Sequence, residues 1–189
     1  MERRDAIQRV AYLMGGVLSA PAISGILSGC QPSEKPDWLP EFFTKAQDAV
    51  INEVTEVIIP TTDTPGAKAA QINRLIDLMI KDCYAAKDQE TFKKGVDALD
   101  AVAKEKFGDG FAEISTEQKN ELFSALEKEA FASRGKTDGK HFYFLIKELT
   151  LLGYFTSEIG ATQALKYLPV PGDYKGCIPY SEVGKAWAT

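Results

Sequence analysis

The chain has 189 residues, 27 acidic and 22 basic, for a net charge of −5, with a single histidine and three cysteines. That is one domain's worth of globular composition, and the acidic balance argues against a general nucleic-acid binder, which needs a basic footprint. The sequence contains no C-x-x-C-H haem attachment, no Cys/His zinc cluster, no H-E-x-x-H, no phosphate loop and no G-x-G-x-x-G; composition therefore points away from a self-contained cofactor enzyme, and no catalytic, cofactor or metal-ligating residue is assigned.

Arg3 and Arg4 form a twin-arginine pair, followed by Arg9 and a charge-free apolar stretch from Val10 to Leu27. Gly15, Gly16, Pro21 and Gly25 interrupt that stretch, which makes a stable membrane-spanning helix a poor reading. It ends in Leu27-Ser28-Gly29-Cys30, which resembles a bacterial lipobox, with cleavage before Cys30 and a lipid on its thiol. Residues 1–29 are thus expected to be a lipoprotein signal peptide, and an uncleaved N-terminal anchor is the alternative. Either way the bulk of the chain is expected outside the cytoplasm, on the periplasmic side of a bacterial membrane. Twin arginines are read by an export receptor for folded proteins. Asp5-Ala6-Ile7 departs from the usual motif, so an ordinary Sec signal stays open. The leader carries three arginines, Glu2 and Asp5, so its removal leaves 160 residues with net charge −6. Residues 30–38, with Pro32 and Pro36, read as the lipidated cysteine and a tether. Residues 39–189 read as one helical domain.

Leu39, Phe42, Phe43, Ala46, Val50, Val54, Val57 and Ile58 recur at helical spacing, and Pro60 stops that helix. In the turn Thr61–Gly66, Asp63 or Thr64 is placed to cap the next helix, and Pro65 suits its first turn. Ile72, Leu75, Ile76, Met79, Ile80 and Cys83 make one apolar stripe. A third helix carries Phe92, Val96, Leu99, Ala103 and Phe107 and ends near Gly108. Ser115 and Gln118 form a capping-box pattern before a fourth helix with Leu122, Phe123, Leu126 and Ala130. The fifth, Phe142–Phe155, has only Lys147 and Glu148 charged. A helix apolar almost all round is either central or meets a partner. Phe142, Leu145, Ile146 and Leu149 suffice for a core face, while Phe144, Leu151 and Phe155 share a second face. Beyond Ala164, Pro169, Pro171, Pro179, Gly172, Gly176 and Gly184 make the C-terminal part irregular. The expected fold is all-α: a compact bundle of about five helices with an irregular Pro/Gly-rich C-terminal segment.

Three segments in order carry a resemblance: Ile58-Ile59-Pro60 leading into Thr62–Ala67, then Leu149–Glu158, then Val170-Pro171-Gly172 with Gly176-Cys177. Together, behind the leader, they resemble the gluconate 2-dehydrogenase subunit 3 family, over roughly Glu41 to Pro179. The resemblance implies a non-catalytic small subunit that escorts a large flavoprotein of the glucose-methanol-choline oxidoreductase type through export. FAD and the oxidation of sugar alcohol groups then belong to that partner, with a cytochrome c as a candidate electron acceptor. Cys30 would add a membrane anchor from the small subunit. The rival readings are a free-standing lipid-anchored scaffold and a periplasmic enzyme with an unrecognised active site.

Among individual residues, His141 with Asp138 could make an acid/base pair, but a helix-start histidine with Asp138 as cap explains both. The Asp63-Thr64-Pro65 turn could contact a partner or a cation, though a helix stop followed by a cap explains it as well. Cys83 is expected on an inward stripe, Cys177 in an exposed loop. In an oxidising compartment they could pair with each other, or Cys177 could pair with the partner subunit. The candidate interface is Phe144, Leu151 and Phe155 with Tyr167 and Tyr174 of the tail.

Overall fold

The computed structural model describes residues 38–135, 140–170, 172–173 and 176–188. The expected leader with Arg3, Arg4 and Cys30, as well as Asp138, Pro171 and Tyr174, lies outside the described residues. The helices of the described residues fall within the unit Leu39–Thr189. They are α1 (Lys45–Ile58), α2 (Ile72–Cys83), α3 (Ala86–Phe107), α4 (Thr116–Ser133) and α5 (Phe142–Thr156), followed by a π-helical turn, Gly160–Ala164, and a one-turn α6, Tyr180–Val183. The fold is all-α, as the periodicity predicts.

α5 packs against α1, α2, α3 and α4 and against the π turn, which makes it the central helix. Its residues Phe142, Leu145, Ile146 and Leu149 are buried among Ile51 and Val54 of α1, Ile76 and Ile80 of α2 and Phe92 and Val96 of α3. Two glycines set these distances. A Cβ on Gly95 of α3 would lie 2.2 Å from the Phe142 ring, and one on Gly153 of α5 would lie 2.8 Å from Leu75. Both helices thus approach closer than any side chain would allow.

The first helix begins later than its apolar spacing predicts. Thr44 and Gln47 close a capping box at Lys45. The preceding backbone is drawn off elsewhere: the N–H groups of Glu41, Phe42 and Phe43 all donate to the carboxylate of Asp77 on α2, at 2.8, 3.1 and 2.9 Å. Asp77 has no exposed surface, and three converging backbone donors are what let a carboxylate sit there. The second helix is also displaced. Neither Asp63 nor Thr64 caps it; the chain makes a separate turn and passes through Gln71 in the left-handed region, φ 54°, before α2 starts at Ile72. The other signals match: Gly108 at φ 89° ends α3, and Ser115 and Gln118 close a capping box on α4.

Candidate partner-binding surface

The segment between α1 and α2 is organised by Glu56. Its carboxylate accepts from the N–H and hydroxyl of Thr61, at 2.8 and 2.7 Å, and from the N–H of Lys68 at 3.0 Å. The Thr61 hydroxyl in turn accepts from the N–H of Gly66 at 3.1 Å, and the N–H of Ala67 donates to Ile59. A Cβ on Gly66 would lie 2.5 Å from the Glu56 carboxylate, so a side chain there would displace Glu56 from its hydrogen bonds to Thr61 and Lys68. The result is a rigid loop whose tip, Pro60–Asp63, is exposed. Asp63 accepts from the Thr62 hydroxyl at 3.0 Å.

This loop is fastened to α5. Tyr154, itself buried, donates its hydroxyl to the carbonyl of Pro65 at 2.6 Å. The Phe155 ring stacks edge-on against Tyr154, 5.4 Å between centroids. On this last turn of α5, Leu151, Leu152 and Phe155 are 38%, 48% and 41% exposed. Spacings of four and three residues place them on one side of the helix as an apolar ridge. The helix then ends sharply. Ser157 donates its N–H and its hydroxyl to the Tyr154 carbonyl, and the Ser157 hydroxyl accepts from Gly160. A Cβ on Gly160 would come within 1.8 Å of that carbonyl, so the π turn depends on a glycine.

Beyond the turn, Tyr167, Leu168 and Val170 are exposed. The tail returns to the π turn through an isolated bridge of Lys166 with Trp187, while the Lys185 ammonium donates to Gln163 at 2.5 Å. The interface residues expected from sequence therefore separate. Leu151, Phe155 and Tyr167 are exposed, but Phe144 is half-buried under Phe131, rings 5.4 Å apart, with Arg134 on its face at 5.7 Å.

The expected placement of Cys83 is corrected: it is exposed rather than inward-facing, and Cys177 is exposed too, both as free thiols. Cys83 lies on the final turn of α2, which projects past the core after Ile80. There the Gln89 amide satisfies the carbonyls of Ile80, Lys81 and Tyr84.

His141 is itself the N-cap of α5, its Nδ1 accepting from the N–H of Tyr143 at 3.2 Å. It stands between two shallow cavities, one of about 270 Å³ beside Arg134 and Phe144 and one of about 240 Å³ between α3 and α4. Spacing alone did not reveal two polar clusters. The first joins Glu53 to Lys119 at 2.8 Å and to Lys68 at 2.5 Å, and Lys119 is nearly enclosed. Burial pushes the Glu53 carboxyl up, but the two ammonium groups outweigh it and hold it below its ordinary value. The second joins Tyr143, Glu127 and Lys147. The Tyr143 hydroxyl donates to Glu127 and lies 2.6 Å from the Lys147 ammonium. Burial and the Glu127 carboxylate push the Tyr143 hydroxyl up; the Tyr143 bond holds Glu127 down and Lys147 up. Each group is thus fixed more firmly in its usual charge state, the opposite of what activation as a neutral-pH base requires. Among the described residues no three His, Cys, Asp or Glu side chains are grouped to hold a metal, and no helix is long and apolar enough to cross a membrane.

No curated protein and no solved structure matches the chain. The family model for gluconate 2-dehydrogenase subunit 3 matches residues 45–172, from the first residue of α1 to just past the exposed Tyr167–Val170 stretch. That span holds all five long helices, the Glu56 loop and the apolar ridge. The chain belongs to the gluconate 2-dehydrogenase subunit 3 family, the small subunits of dehydrogenase complexes that partner with larger dehydrogenase subunits.

Proposed function

We propose that this chain is the non-catalytic small subunit that escorts a larger, FAD-bearing sugar dehydrogenase subunit of the glucose-methanol-choline type through export and tethers it to the membrane through a lipid on Cys30. The observation that carries the reading is the apolar ridge at the end of an otherwise central helix, within the segment that defines the family. Three adjacent large side chains left in water are a cost to an isolated bundle and an asset to a subunit that docks. The flavin and the oxidation of an alcohol group of the sugar are the partner's work. In this chain the polar clusters serve packing, with Glu53, Glu127, Tyr143 and Lys147 held in their usual charge states. Electrons leave the partner for an acceptor such as a cytochrome c.

The twin arginines give the test. In a strain carrying Arg3→Lys with Arg4→Lys, both subunits stay in the cytoplasm, and immunoblots of periplasmic and cytoplasmic fractions read the outcome. Normal periplasmic delivery of the larger subunit in that strain overturns the escort role and leaves a structural subunit.

A further inference from the structure

The ridge is one half of a surface. Two of the three segments that carry the family resemblance, Ile58–Ala67 and Leu149–Glu158, are some ninety residues apart, and the structure brings them together at one end of the bundle. The Tyr154 hydroxyl on the Pro65 carbonyl is the fastening, at 2.6 Å. Its sequence neighbours Leu152 and Phe155 are exposed, and so is the loop tip Pro60–Asp63, which precedes Pro65 on the same short loop. The loop tip is preset by Glu56, which engages Thr61 and Lys68 rather than the solvent. A polar, rigid loop beside an apolar ridge has the anatomy of an interface: a centre that loses water and a rim that stays wet.

We infer that the larger dehydrogenase subunit docks on this composite face, reading the loop Pro60–Asp63 and the ridge Leu151, Leu152 and Phe155 together. This rests on the reading of the chain as a subunit of such a complex. Among the described residues of the matched span 45–172 the large exposed apolar side chains are Leu78, Val102 and Phe131, each on a different helix, and six more between Leu151 and Val170. Most of these exposed apolar side chains thus belong to the last turn of α5 and the chain that follows it. Phe131 packs on Phe144 at the opposite end of α5, about 16 Å from Phe155 by helix rise. The exposed carboxylate of Asp63 sets the chemistry of the opposing face: an apolar pocket with a cationic group facing the loop. Tyr154 is a positioning residue, holding loop and ridge in one frame.

The test uses the full chain co-expressed with its larger subunit. Leu152→Asp on the ridge and Asp63→Lys on the loop each weaken capture of the larger subunit by roughly tenfold or more, a loss of the size that a truncated interface anchor gives. Val102→Asp, equally exposed but in the α3–α4 groove, leaves capture unchanged. Tyr154→Phe, which removes one hydroxyl and leaves the ring, lowers capture while the protein still melts cooperatively. A benzophenone side chain placed at Thr62 or at Phe155 crosslinks to the larger subunit, and one at Val102 does not; this keeps the test decisive should Leu152→Asp fail to fold. Full capture by both the ridge and the loop variants, with loss on Val102→Asp, moves the interface elsewhere and overturns the inference while the subunit reading stands. A homodimer of the isolated chain broken by Leu152→Asp makes this a self-interface and overturns it as well. If the unaltered chain captures no larger subunit at all, the subunit reading itself falls, and the docking face with it.

Discussion

Glu53 shows how single side chains tie this bundle together. It sits on α1, yet its two carboxylate oxygens reach Lys119 on α4 and Lys68 in the turn before α2. Removing the carboxylate would leave the nearly enclosed Lys119 ammonium with only the Ala112 carbonyl, at 3.2 Å. A charge stripped of its partner in such a place costs about 2–3 kcal/mol. The sign with pH follows from the lowered carboxyl of the folded state. Its stabilising contribution is complete above the ordinary value of 4.5 and disappears as pH falls through the lowered folded value. Glu53→Ala should therefore melt well below the parent protein at neutral pH, and the gap should narrow as the buffer is taken below 4.5. Thermal melts of both proteins across that range check it; a gap independent of pH would assign the loss to packing alone. The residue scale was the least legible in the sequence. Ser115 and Gln118 could be paired by eye because the capping box is local, and Thr44 with Gln47 has the same spacing. Asp77 and Glu53 could not be assigned, because their partners lie 15 to 66 residues away and nothing in local spacing reports such a meeting. Cys83 misled for a related reason: periodicity gives the face of a residue on its helix but not where the core stops along the axis.

Among the elements, apolar periodicity places the five long helices and the central one, since a stretch apolar on every side has to be covered. The boundaries of α1 and α2 shift because tertiary acceptors capture the backbone ahead of them, Asp77 in one case and Glu56 in the other. The interior glycines carry information of the same kind. Intrinsic propensity says that Gly95→Ala should stabilise α3 by roughly 0.5–1 kcal/mol. Contact geometry says otherwise. The new methyl group would lie 2.2 and 2.4 Å from Cγ and Cβ of Phe142, atoms at the root of a buried side chain whose ring is also packed edge-on against Phe92 at 5.1 Å. Displacing it costs about 1–3 kcal/mol, which exceeds the propensity gain. Gly95→Ala should accordingly lower the melting temperature by several degrees. Ala98→Gly in the same helix provides the comparison for propensity alone, and a Gly95→Ala protein that melts higher than its parent would show that α3 and α5 can separate without penalty.

For the whole molecule, the folded domain and the segment up to Cys30 carry different parts of the proposed reading. The bundle between Lys45 and Thr156 buries its own core, and among the described residues it leaves no buried polar side chain without a partner. Attachment, on the proposed reading, rests on Cys30 and its lipid. A single acyl chain gives only marginal, reversible membrane binding, whereas two or more hold firmly, and the proposed lipid on Cys30 is of the multiply acylated kind. The net charge of −5 adds no attraction to an anionic leaflet. Cys30→Ser should therefore move the small subunit from the membrane to the soluble fraction, and the larger subunit should move with it if the small subunit is the tether. Fractionation of cells carrying the variant, with and without the larger subunit, separates the cases. Release of both supports the tether. Release of the small subunit alone shows that the larger one holds the membrane by its own means. Retention of the Cys30→Ser small subunit in cells that lack the larger one would mean that the apolar stretch Val10–Leu27 persists as the anchor, and that cleavage before Cys30 does not occur.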